Sequence, residues 1–278
     1  MPTHRLLAID VDGTLVNSRH ELTDRTRQAI LRARRAGVEI VLATGRRYSR
    51  VLPLVEPLAL NVPLVTASGA LIKRASDHNT LFRAQFNDGA LERCLRIIHA
   101  AGHEAVVYAD TFEQGFDFYC ASLEAKSAEL AEFYQRNLGF GRLWPKLSSR
   151  APAGIFAGFS MGTRSQMRSL EAELMRQLPD ELYVHVLRSP RYIGFMCEIA
   201  PSGVSKWTGV RHLADDWGIG PEEICAVGDD VNDIPMIRAA GLGVAMGNAL
   251  PEVKAVADRV APRNDEDGLV AVVDWLLE

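Results

Sequence analysis

Short apolar runs alternate with helical spacing at both ends of the chain, and the middle follows a different rhythm. Leu6 to Val11 is apolar except for Asp10, the pattern of a strand buried on both faces. A helix is expected from about Thr23, whose hydroxyl suits an N-cap, to Gly37, which suits a left-handed stop. Strands follow at residues 38–43 and 62–66, separated by a helical stretch reaching about Leu58. Towards the other end, a helix near residues 204–216 leads to strands at 224–227, 242–246 and 259–261. A closing helix spans about 267–277. Strands alternating with helices predict an α/β fold with a parallel, doubly wound sheet.

Between residues 81 and 192 the runs LFRAQF, HEAVVYAD, FDFYCA, GIFAGFS and LYVHVLRS read as half-exposed strands rich in aromatics. Two or three helices fall between them. This predicts an α+β insertion with an antiparallel sheet covered on one face. The expected layout is a core made of residues 1–82 and 192–278, interrupted by an inserted lid over residues 83–191.

Composition narrows the function classes. At 47% apolar and 24% charged the chain is an ordinary globular one, which sets aside disorder and collagen-like structure. Thirty-one basic against 35 acidic residues leave a net charge of -4, so no global attraction draws it to nucleic acid or to an anionic membrane. Cys94, Cys120, Cys197 and Cys225 lie far apart with no C-x-x-C pair, which argues against structural zinc and for buried, reduced thiols. No signal-peptide pattern opens the sequence, and no stretch approaches the ~20 apolar residues of a membrane span. A cytoplasmic monomer or homodimer is expected.

The chemistry lies where polar residues interrupt the strands. Asp10, Thr44, Ser68 and Asp229 each fall at or just past the carboxyl end of an expected parallel strand, where open α/β sheets bind ligands. Asp10 and Asp12, two apart in extended chain and ~6.6 Å from each other, point the same way and repel. A hard divalent cation such as Mg²⁺ resolves that conflict. Gly13 then permits a tight turn and a close backbone approach. An EF-hand fails here, because Gly13 is fourth where the sixth position is needed and a strand precedes it. Gly228-Asp229-Asp230-Val231-Asn232-Asp233 supplies further oxygen ligands, with Asp229 nearest the strand end.

Thr44-Gly45-Arg46 offers a hydroxyl, a backbone amide expected at a helix N-terminus and a guanidinium, a set suited to phosphate; an ordinary Thr N-cap is the competing reading. Lys206 would place one ammonium among the carboxylates and a dianion. The seven histidines show no metal-ligand spacing and read as structural or surface residues. No G-x-G-x-x-G follows the first strand and no P-loop motif occurs.

These residues resemble the haloacid dehalogenase (HAD) superfamily. Asp10-Val11-Asp12-Gly13-Thr14-Leu15 looks like its first motif, Thr44 its second, Lys206 its third, and Gly228 to Asp233 its fourth. Their order and spacing resemble the Cof-type subfamily, with a C2-type cap between the second and third motifs and a Rossmann-like core. The resemblance implies a Mg²⁺-dependent phosphatase acting on small phosphorylated metabolites, sugar phosphates foremost, through an aspartyl-phosphate. Asp10 would be the nucleophile and Asp12 the general acid and then base. Lys206 and Thr44 would hold phosphoryl oxygens, with Gly45, Arg46, Ser68 and Asn232 also at the phosphate or substrate. Mg²⁺ would be held by Asp10, by Asp12 through its backbone carbonyl, and by Asp229, with Asp233 supporting the metal or Lys206. Two positions depart from the family pattern: Ser68-Gly69-Ala70 where Asn-Gly-Ala is common, and Trp207 where Gly is common.

Two other readings fit parts of the pattern. One is a phosphomutase of the same superfamily, which would return the phosphoryl group to substrate. The other is a receiver-like phospho-accepting signalling protein, which would have no inserted lid. Specificity is expected to lie in that lid, with Tyr108, Phe118, Tyr119, Arg142, Trp144, His185 and Arg188 as recognition candidates and most aromatics forming its core.

Overall fold

The computed structural model describes residues 3–58, 62–189 and 191–278. In chain order the strands of its first part are β1 (Leu6–Ile9), β2 (Glu39–Ala43), β3 (Pro63–Thr66), β4 (Leu71–Arg74) and β5 (Thr80–Arg83), with helices α1 (Asp24–Arg35) and α2 (Tyr48–Val55). Next come β6 (Val106–Ala109), β7 (Phe118–Cys120), β8 (Gly141–Leu143), β9 (Ile155–Gly162), β10 (Leu182–Arg188) and β11 (Phe195–Pro201). Their helices are α3 (Ala90–Ala100), α4 (Ala128–Arg136) and α5 (Arg164–Gln177). The last part holds α6 (Lys206–Asp216), β12 (Ile224–Gly228), α7 (Ile234–Ala239), β13 (Leu242–Ala245), α8 (Pro251–Lys254), β14 (Arg259–Val260) and α9 (Gly268–Leu277).

The chain divides into two compact units, one of residues Met1–Phe82 with Ser205–Glu278 and the other of Arg83–Val204. In the first, eight strands run in the order β14-β13-β12-β1-β2-β3-β4-β5. The six from β14 to β3 are parallel. The chain winds outward from β1 in one direction and from β12 in the other, so the strand order reverses between these central neighbours. Crevices for ligands open at such reversals, outside the carboxyl ends of the strands.

Local chemistry accounts for the elements. All four residues of β1 are buried, as a strand covered on both faces requires. Leu6, Ala8, Val41, Ala43, Val65, Ile224 and Ala226 pack with Val210, Leu213 and Ala214 of α6 and Met236 of α7. The alternate residues Leu7, Ile9, Ile40 and Leu42 are equally buried and point the other way. Thr23 caps α1 by accepting from the Thr26 amide, and Gly37 follows the helix at φ 90°. Thr26, Ala29, Ile30 and Ala33 form its buried stripe. Among the described residues no helix is long and apolar enough to cross a membrane.

Two expectations of the layout change. The core sheet is not wholly parallel: β4 turns back antiparallel on β3, and β5 lies beside β4. Leu81 and Phe82 pack against the core cluster, on the core side of the expected boundary after residue 82. The second boundary falls between Val204 and Ser205 rather than between 191 and 192, because β11 pairs antiparallel with β10 and β9.

The inserted unit holds one six-stranded sheet in the order β10-β11-β9-β6-β7-β8, antiparallel but for the β7–β8 pair. Helices α3 and α5 pack Cys94, Ile97, Ile98, Met167, Leu170 and Leu174 against Val186, Cys197 and Ile199. Phe118 and Phe159 point to the opposite side of the sheet, by the register of their neighbours. There Phe133 of α4 meets them at ring distances of 5.3 and 4.9 Å. This sheet is therefore packed on both faces, not one. All four cysteines are buried and free.

Candidate active site

Asp10 follows β1, and its amide donates to the Val227 carbonyl of β12 at 3.0 Å. Strand pairing thus sets the end of β1 beside the end of β12, where Asp229 follows Gly228. Lys206 is the first residue of α6, whose N-cap Ser205 accepts from the Thr208 amide. Its Nζ donates to Asp10 Oδ1 at 2.6 Å, to Asp233 Oδ1 at 2.6 Å and to Asn232 Oδ1 at 3.0 Å. A lysine 2% exposed is tolerable only when paired in this way.

Ligand oxygens of Asp10, Asp229 and Asp233 all lie within 4.8 Å of one another. Asp10, Lys206 and Asp233 are buried, and Asp229 is partly so. Burial pushes the Asp10 carboxyl well above its usual range; Asp233 raises it further and Lys206 opposes. Burial likewise pushes Asp229 up to about 7, with Asp233 adding and Lys206 opposing. For Lys206 burial acts downward, but the charges and hydrogen bonds of Asp10 and Asp233 prevail and its pKa is raised. Three carboxylates against one ammonium leave a formal charge of -2 when all are ionised. An oxygen-only donor set with that deficit suits a hard divalent cation.

The donors do not play equal parts. Asp233 Oδ2 accepts from the amides of Asp229 at 2.9 Å and Asp230 at 3.1 Å, while Oδ1 accepts from Lys206. It anchors the turn and the lysine. Asp229 accepts from Thr14 Oγ1 and Asn248 Nδ2, each at 3.3 Å. Asn248 Nδ2 also donates to the Gly13 carbonyl at 2.8 Å. Sequence reading placed Thr14 in the first motif without a role and passed over Asn248; Asn248 lies just past β13, so the strand-end rule that picked out Asp10 would have found it.

Gly13 makes the approach of the two loops possible. Its φ is 82°, and a Cβ there would stand 2.2 Å from Asp229 Oδ2. We expect Gly13→Ala to cost about 1–3 kcal/mol from the left-handed backbone alone and to weaken metal binding by displacing Asp229. Thermal melts with and without Mg²⁺ check both effects. An unchanged melt and unchanged metal response would contradict the geometry.

Asp12 does not point at the carboxylate cluster as the extended-chain argument expected. Its Oδ1 takes Arg46 Nη2 at 2.5 Å and its Oδ2 takes Arg46 Nε at 2.6 Å. The chain past β1 is not extended: a turn begins at Val11, where the Leu15 amide donates to the Asp10 carbonyl and the Val16 amide to the Val11 carbonyl, each at 3.1 Å. The Asp12 side chain is engaged by Arg46 and is not one of the three clustered carboxylates. Arg46, expected at the substrate, has a side chain only 6% exposed and is engaged by Asp12.

The second loop also differs in detail. Helix α2 begins at Tyr48 with Arg47 as N-cap, so Thr44 is not a cap and Gly45 does not sit at a helix N-terminus. Thr44 Oγ1 accepts from the Arg46 amide at 3.1 Å, an arrangement that still leaves its hydroxyl proton to donate. Ala67 and Ser68 both take left-handed backbone, at φ 47° and 56°, and the Ser68 amide donates to the Thr44 carbonyl at 2.9 Å. Strained non-glycine residues of this kind gather at ligand sites. Trp207 packs against the core cluster.

In the inserted unit, Tyr108 and Phe118 are buried in aromatic packing. Tyr119 sits edge-on to Trp144, and His185 stacks on Tyr183. Arg142, Trp144 and Arg188 reach the surface.

A doubly wound α/β core with a buried lysine–carboxylate cluster at its strand-order reversal has the layout of an α/β protein that binds a ligand there. Residues 7–273 match the haloacid dehalogenase-like hydrolase family, and the chain belongs to it. Phosphatase YwpJ of Bacillus subtilis is 30% identical over 98% of this chain and 100% of that protein. The B. subtilis 5-amino-6-(5-phospho-D-ribitylamino)uracil phosphatase YcsE is 29% identical, over 98% of this chain and 96% of its own. A crystal structure of a haloacid dehalogenase-like hydrolase from Bacteroides thetaiotaomicron superposes with a TM-score of 0.81 at 24% identity, covering 98% of this chain and 99% of that one. This chain is thus an enzyme of a hydrolase family whose curated members include phosphatases, which sets aside the receiver-like reading.

Proposed function

We propose that this protein is a Mg²⁺-dependent phosphatase that hydrolyses small phosphorylated metabolites, sugar phosphates foremost, through an aspartyl-phosphate on Asp10. The observation that carries the reading is the buried Lys206 ammonium, held by Asp10, Asn232 and Asp233 beside Asp229. The named substrate of YcsE, a phosphate on a ribityl chain, supports the preference for sugar-like alcohols.

Asp10 Oδ1 is held by Lys206, so the other oxygen of Asp10 attacks phosphorus as the bond to the leaving oxygen breaks. Asp12 gives that oxygen a proton. It then takes one from the water that attacks the aspartyl-phosphate, releasing phosphate and free Asp10. Lys206, the Thr44 hydroxyl, the Gly45 amide, Ser68 and the Asn232 amide nitrogen hold phosphoryl oxygens. Asp10, Asp229 and the Asp12 carbonyl would hold Mg²⁺, which when bound neutralises charge on the transferring phosphoryl group. Asp233 keeps Lys206 and the Asp229 loop in place.

Release of phosphate from p-nitrophenyl phosphate with Mg²⁺, and its loss with EDTA, tests the reading. No release with Mg²⁺, Mn²⁺ or Co²⁺ would end it. A pH test accompanies it. A carboxyl whose pKa is raised by folding stabilises the fold below its unfolded value near 3.8 and loses that contribution as pH rises through the folded value, about 7 for Asp229. Mg²⁺ requires the ionised form and reverses the trend. At tenfold excess over its Kd, Mg²⁺ should add about 1.4 kcal/mol. We therefore expect a melting shift with fixed Mg²⁺ at pH 8 and almost none at pH 5. Equal shifts at both would argue against these carboxylates as the ligands.

A further inference from the structure

His20 lies in the turn after the first motif and enters none of the chemistry above. Its φ is 60°, in the left-handed region that is uncommon for residues other than glycine. The turn is fastened without its ring. Asn17 Oδ1 accepts from the amides of Arg19 at 2.9 Å and Glu21 at 3.0 Å. The His20 amide donates to the Asn17 carbonyl at 2.9 Å, and the Ser18 amide to Asp265 Oδ1 at 2.8 Å. The imidazole itself faces Asp12, with Nδ1 3.3 Å from Oδ1. That oxygen also takes Arg46 Nη2. Two groups from separate loops therefore converge on one oxygen of the same carboxylate, while Arg46 Nε takes the other.

A carboxylate gripped by one guanidinium can still rock about its side-chain torsions. A second group on the same oxygen, arriving from another loop, removes that freedom. We propose that His20 is a positioning residue for Asp12, aiming its carboxyl at the leaving-group oxygen; this rests on the acid–base role proposed for Asp12. In the step concerned, the bond from phosphorus to the leaving oxygen breaks and the Asp12 proton passes to that oxygen. An alkoxide cannot leave without the proton, whereas nitrophenolate can. His20 therefore matters for alkyl phosphates and much less for aryl ones.

The test compares kcat/KM, which reports the first phosphoryl transfer, for a simple alkyl phosphate and for p-nitrophenyl phosphate. Asp12→Asn should lower the alkyl value by about 10²–10⁴-fold more than the aryl value. His20→Gly relieves the left-handed backbone, so a loss there cannot come from strain in the turn. It should lower the alkyl value about tenfold more than the aryl one, a part of the full general-acid contribution. His20→Asn tolerates the same backbone and carries an amide nitrogen where Nδ1 stood, and it should restore most of the alkyl rate. Equal changes for both substrates in His20→Gly, or no rescue by His20→Asn, would overturn the proposal. Should Asp12→Asn itself show no split between substrates, the acid role fails, which is a different failure.

Discussion

Asp10→Asn should reduce phosphate release by at least about 10⁴-fold, the scale of losing a covalent nucleophile. The reason is chemical, since the amide of Asn cannot attack phosphorus. The fold should survive, because Asn Oδ1 can still accept from Lys206 Nζ where Asp10 Oδ1 does now. Stability carries its own sign. Folding raises the Asp10 pKa, chiefly through burial and then through Asp233, so ionising it costs the metal-free fold stability at high pH. The Asn variant lacks that cost, and its melting temperature without metal at pH 8 should equal or exceed that of the parent. Acid-quenched turnover should trap phosphate on the parent and none on the variant. Full activity in the variant would remove Asp10 from the mechanism.

Lys206→Met should be the most destabilising change in the site. Lys206 is 2% exposed and Asp233 0%, so removing the ammonium leaves buried carboxylates without a counter-charge. Breaking a buried pair from one side costs about 3–5 kcal/mol. The cost has a pH signature, because protonation relieves bare carboxylates: the deficit should shrink at acid pH and grow above neutrality. Added Mg²⁺ should recover part of it by supplying positive charge to Asp10 and Asp229. Turnover should fall by about 10²–10³-fold or more through lost electrostatic stabilisation, with Mg²⁺ saturating. Urea melts at pH 5 and pH 8 check the first effect, and steady-state rates the second. A pH-independent loss would mean that Lys206 contributes packing rather than charge.

Several parts of this architecture were legible in the chain because they depend on short-range pattern. The run from Leu6 to Ile9 reads as a strand because a doubly covered strand must be apolar throughout. Thr23 and Gly37 bound α1 because capping chemistry is local. Asp10, Thr44 and Asp229 were legible as a group because each follows such a strand directly, and parallel strands bring their carboxyl ends to one edge. Other parts were hidden for definite reasons. Leu71–Arg74 and Thr80–Arg83 join the core sheet through pairing with β3 and its neighbour, and no property of those residues alone assigns a sheet. Phe195–Pro201 likewise belongs to the inserted unit through its partners Leu182–Arg188 and Ile155–Gly162.

By itself the sequence determined which side chains carry charge, which segments alternate in the manner of a wound sheet, and which acidic groups stand at strand ends. These follow from periodicity and residue type, which act over a few positions. Only the tertiary structure decided how the acids divide their work. Asp10, Asp229 and Asp233 gather around Lys206, while Asp12 turns aside to Arg46 and His20. The chain turns already at Val11, with the Leu15 amide on the Asp10 carbonyl and the Val16 amide on the Val11 carbonyl, so the extended geometry that would have kept Asp10 and Asp12 side by side is lost before Asp12. Partner choice among like charges depends on distances and burial between residues some two hundred positions apart, and these exist only once the sheet has closed.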